Sequence, residues 1–95
     1  MIFGCCIQRI EDVGRVKEAG FDYYEFSAAA LAAMNSQEFQ LLRLETLGSD
    51  LPCLGLNSYS SGSPAIVGEH FDPGAAQEYA ERVCQRAAAL GARTI

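Results

Sequence analysis

A chain of 95 residues, 49% hydrophobic and 20% charged, has room for one domain with a modest core and excludes a complete large enzyme fold. Its formal charge of −5 and its seven scattered Lys and Arg residues speak against a nucleic-acid partner, because phosphate binding needs clustered cations. With no basic leader before a long apolar stretch, and no run near the ~20 apolar residues of a membrane span, the expected setting is cytoplasmic, without a membrane partner.

Residues 2–7 (IFGCCI) form a short continuous apolar run, which predicts a strand buried on both faces. In the following IEDVGRVKEAG, Ile10, Val13, Val16 and Ala19 recur at helical spacing. Acidic residues stand early and basic ones late, as the helix dipole prefers, and Gly20 closes the helix. Residues 21–26 (FDYYEF) predict a second strand, and a strand, helix, glycine, strand succession is a βαβ unit with parallel strands. Residues 28–34 predict a short helix or ordered loop. Ser36 is the expected N-cap of a helix that carries Phe39, Leu42 and Leu47 and stops at Gly48.

The run LPCLGLNSYSSG joins a third predicted strand, residues 51–56, to a polar segment. Residues 57–71 form the longest structureless stretch, and long loops in compact chains are often binding loops. Asp72-Pro73 then supplies an N-cap with proline at the first helical position. The helix after it places Ala76, Tyr79, Ala80, Val83, Cys84, Ala87 and Leu90 on one stripe, with a Glu78–Arg82 pair four apart and Gly91 as the stop. Arg93-Thr94-Ile95 reads as the start of a fourth strand. The recurrence of helix, glycine and strand makes a βα repeat.

The four cysteines do not form a disulfide framework: Cys5 and Cys6 are adjacent on a strand and point to opposite faces, while Cys53 and Cys84 fall inside apolar patterns. No CxxC spacing is present, and a lone His70 cannot make up a zinc set.

The strand FGCCI, the unit IEDVGRVKEAGFDYYEFS, the strand LPCLGLNSY and the helix DPGAAQEYAERVCQRAAALGA together resemble the N-terminal part of the sugar phosphate isomerase/epimerase proteins, the xylose-isomerase-like TIM barrels. The resemblance implies an α/β fold in which residues 1–95 form a single partial TIM barrel, about three βα units plus the start of a fourth parallel strand. It also implies a family chemistry that moves a proton between carbons of a sugar or keto acid with a divalent metal, Mn or Mg. The metal ligands lie mainly on later strands, so no cofactor is expected in this chain. Carried onto this sequence, the resemblance marks Glu25 at the end of strand two as catalytic. Asn57 at the end of strand three, and His70 in the loop beyond, become substrate-binding residues. Asn57 stands where some barrels of this superfamily carry a metal-binding His.

Each site residue also has a plain structural reading. Glu25 can be a surface carboxylate paired with an Arg, Asn57 a strand-end turn former, and His70 a solvated loop residue. Strands cut from a barrel would leave two unpaired edges and an apolar inner face, costly at roughly 25 cal/mol per Å². The expectation is therefore a truncated isomerase/epimerase-like barrel fragment, catalytically incompetent alone and held together by self-association through its sheet edges. Two alternatives stay open: an active metal-dependent isomerase completed by further chain or by oligomerisation, and a small flavodoxin-like α/β ligand-binding module.

Overall fold

The computed structural model describes residues 2–59 and 69–95. Strand β1 (Gly4–Ile7) leads to helix α1 (Asp12–Glu18), strand β2 (Tyr23–Ser27), helices α2 (Ala28–Ala33) and α3 (Ser36–Gly48), strand β3 (Cys53–Asn57) and helix α4 (Pro73–Leu90). The fold is mixed α/β, with three parallel strands in the order β1-β2-β3. The expected fourth strand begins as a parallel bridge between Gly55 and Thr94, where Leu56 N–H donates to Thr94 O and Arg93 N–H to Leu54 O, each at 2.9 Å. Spatial order thus follows chain order, each βα crossover stepping to the next strand in the same direction.

Strand alternation sorts the sheet into two unlike faces. Tyr24, Phe26, Cys53 and Leu56 point into the helix layer and are buried, with the half-buried Cys5 and Ile7 packed beside them. Val13 and Val16 of α1, Ala28, Leu31 and Ala32 of α2, Phe39 and Leu42 of α3, and Tyr79, Val83 and Ala87 of α4 complete this single core. The opposite face carries Gly4, Cys6, Tyr23, Glu25 and Gly55, and no described element covers it.

Two expectations are corrected by that asymmetry. Strand β1 is not buried on both faces: it lies at the sheet edge, and Cys6 is exposed while Cys5 is half-buried, on opposite faces as adjacent strand residues must be. The open face is also not apolar. Its residues are small or polar, so exposing it costs less than a hydrocarbon surface would.

Local chemistry moves several boundaries. Asn35, not Ser36, caps α3: its Oδ1 accepts from Glu38 N–H at 2.8 Å while Glu38 Oε1 accepts from Asn35 N–H at 3.1 Å, a reciprocal capping box. Gly48 stays helical, and the left-handed turn falls to Asp50 at φ 51°. Gly91 does leave α4 with φ 84°. The Glu78–Arg82 pair is not formed, because Arg82 Nη1 donates instead to Ala32 O at 3.3 Å. Cys84 is exposed, since only Tyr79, Val83 and Ala87, each four apart, face the core directly. No helix among the described residues is long and apolar enough to cross a membrane.

One part-buried polar chain ties β2 to α3. Thr46 Oγ1 donates to Leu42 O at 2.8 Å, which uses its only hydrogen, so Tyr24 hydroxyl is the donor in its 2.6 Å bond to Thr46 Oγ1. Tyr24→Phe removes that donor and keeps the ring. The expected cost is about 1 kcal/mol, a fall in melting temperature of roughly 4–8 °C. Calorimetry checks this, and a loss several-fold larger would mean that ring packing rather than the hydrogen bond had been disturbed.

Candidate functional site

The C-terminal ends of the three strands frame a shallow cavity of about 520 Å³. Cys6, Gln8, Arg9 and Asp12 supply one wall, from the end of β1 to the start of α1; Ser27, Asn57 and Ser58 supply the other, from the ends of β2 and β3. Ser27 also caps α2 by accepting from Ala30 N–H at 3.2 Å, so its position is fixed by the helix it starts. Ser58 takes the left-handed conformation at φ 53°, uncommon for a side chain other than glycine, and so turns the chain sharply at the rim. Beyond it Tyr59 is anchored: its carbonyl accepts from Tyr79 hydroxyl at 2.7 Å, and the two rings meet edge to face at 4.9 Å between centroids.

Glu25 does not line this cavity; it meets Cys6, a residue that the sequence marks only as packing. Cys6 thiol donates to Glu25 Oε1 at 3.7 Å on the open face, two residues deeper along β2 than Ser27. Desolvation raises the Cys6 pKa above the ordinary 9.0, the charge and hydrogen bond of Glu25 raise it further, and a hydrogen bond with the Asn57 side chain pulls the other way. At neutral pH the Cys6 group is therefore a neutral thiol, on the same sheet face as the Glu25 and Asn57 side chains. The trio offers donors and acceptors in both senses, which suits hydroxyl-bearing ligands. Among the described residues no arginine pairs with Glu25.

The Arg9 guanidinium at the rim is engaged on its own side of the cavity. Its Nε lies 3.3 Å from Asp12 Oδ2 and 3.9 Å from Glu11 Oε1, while Arg15 Nη1 lies 3.3 Å from Asp12 Oδ1. These exposed pairs contribute little to stability and serve mainly to hold the rim.

His70 is not brought to this site. Its side chain is 86% exposed, its Nε2 lies 3.6 Å from Glu69 Oε1, and it does not line the cavity. Most of the loop expected to bind a ligand, residues 60–68, lies outside the described residues. Among the described residues no three of His, Cys, Asp and Glu converge as metal ligands, so no chemical step is assigned to a metal here.

Sequence reading missed Cys6 and Ser27. A signal was present, because strand periodicity places Cys6 and Glu25 on one face once the β1–β2 register is known, but the register itself is tertiary information. Comparison with known protein families, curated proteins and solved structures gives no match.

Proposed function

We propose that this chain is part of a singly wound βα barrel of the sugar phosphate isomerase/epimerase type, and that its open sheet face is one wall of a site for a sugar or keto acid. The observation that carries this reading is the sequential parallel order β1-β2-β3, continued by the Thr94 bridge, with the polar groups at the strand ends. A flavodoxin-like module places its first strand between the second and third, with helices on both faces. Here β2 is central. The order therefore favours the barrel reading over the small binding module, and in barrels of this kind chemistry sits at the C-terminal ends of the strands.

In this reading Glu25 orients a substrate hydroxyl or exchanges a proton with it, and Asn57 gives and receives hydrogen bonds. The family's Mn or Mg would be held by strands outside this chain. Alone, the chain binds but does not turn over, and the unpaired edges of β1 and of the fourth strand are closed by further chain or by other copies.

The test is a titration of isotopically labelled protein with D-xylulose and with D-fructose, followed by nuclear magnetic resonance. Millimolar sugar should shift Glu25 and Asn57 signals. Incubation in deuterated water with Mn²⁺ should leave the sugars unlabelled, and light scattering should give a mass above that of one 10.2 kDa chain. Signals at Glu25 and Asn57 that stay put with both sugars would overturn the reading.

A further inference from the structure

The open face has a middle row in which the three strands and the bridged Thr94 meet: Cys6, Glu25, Gly55 and Thr94. Gly55 decides what this row can do. A Cβ placed there would stand 2.7 Å from Thr94 Oγ1 and 3.4 Å from Glu25 Oε2. The Thr94 hydroxyl and the Glu25 carboxylate thus share the space that any larger residue at position 55 would fill. Gly4, the other glycine on this face, is different, because the Tyr23 ring lies over it and closes its gap with carbon.

We infer that Thr94 is a further ligand-contacting residue of the proposed site, and that Gly55 positions it. The ligand class is a polyol. One hydroxyl is received by the Glu25 carboxylate, and a neighbouring one exchanges hydrogen bonds with the Thr94 hydroxyl, which makes no side-chain hydrogen bond among the described residues. A charged acceptor and a neutral donor-acceptor, on the two segments that flank β3 and both close to Gly55 between them, match the two hydroxyls of a vicinal diol, whereas a monoalcohol would engage only one of them. The inference rests on the reading of this face as a sugar-binding wall.

The experiment repeats the D-xylulose titration on Thr94→Val and Gly55→Ala, with 1-propanol as a ligand having a single hydroxyl. Thr94→Val keeps the shape of the side chain at an exposed position and should leave the amide spectrum dispersed, while weakening D-xylulose roughly tenfold, as the loss of one hydrogen bond to a neutral group allows. Gly55→Ala should weaken it at least as much, with signals of Thr94 and Glu25 displaced before any sugar is added. Propanol should shift nothing on this face. Should wild type bind D-xylulose and Thr94→Val bind it equally, the inference falls and the sugar-binding reading stands. Should D-xylulose move no signal of wild type, the inference falls, and should D-fructose move none either, the sugar-binding reading falls with it.

Discussion

Replacing Arg86 by Met should destabilise the protein by about 3 kcal/mol, the range for hydrogen bonds made by a charged group to partners left unsatisfied. Its melting temperature should fall by roughly 10–20 °C. Helix α2 has six residues, too few to hold itself, and its last carbonyls have no helical partner. Arg86 Nη1, reaching from α4, donates to Leu31 O at 2.5 Å and to Met34 O at 2.8 Å, and Arg82 one turn earlier supplies Ala32 O. The same guanidinium lies 5.1 Å from the centre of the Phe39 ring of α3. One side chain therefore caps α2 and joins three helices, and it places positive charge where the helix dipole is negative. Methionine keeps the apolar stem and removes every donor. Arg86→Lys should recover only part of the loss, because an ammonium cannot match the planar fork. Denaturation of the three proteins side by side measures this, and a cost under about 1 kcal/mol for Arg86→Met would show that water serves these carbonyls as well.

Alkali should unfold the protein progressively above pH 9. Burial pushes the Cys53 thiol up to about 11 from 9.0. Burial also raises the Tyr24 phenol above its ordinary 10.0, against a smaller lowering by Thr46. Both folded-state values lie above the unfolded ones, so the stability they contribute is complete below pH 9 and is lost as the unfolded chain ionises while the folded one holds its protons. Cys53 alone should account for roughly 2–3 kcal/mol by pH 11. Tyr24 adds to the decline above pH 10. Guanidinium midpoints under reducing conditions at pH 8, 9.5 and 10.5 give the slope. Cys53→Ala starts from lower stability and should lose less across that interval; an equal slope would place the alkaline sensitivity elsewhere.

Much of the fold is legible in the chain because it rests on local rules. The apolar runs ending at Ile7, Phe26 and Leu56, the cap and proline at Asp72-Pro73, and the stop at Gly91 each act within a few residues, and the structure keeps them. Local competition decides the finer points. Asn35 displaces Ser36 because only from Asn35 does the side chain meet Glu38 in a reciprocal pair, and Gly48 continues α3 because Asp50 turns the chain. The partnership of Arg86 with Leu31 spans 55 residues, so no window of sequence contains it.

The candidate site divides in the same way. Sequence alone determined the alternation along each strand, because strand periodicity is a property of the backbone, and it placed Asn57 correctly at a strand end; Glu25, expected at the end of strand two, falls in the middle of β2 because that strand continues to Ser27. Tertiary structure decided which strand lies beside which and in what register. That pairing joined Glu25 to Cys6, set Thr94 over Gly55 and left His70 outside. Register is fixed by the burial of Tyr24, Phe26, Cys53 and Leu56 against the helices. The polar residues on the far face are thus aligned by a core they do not touch.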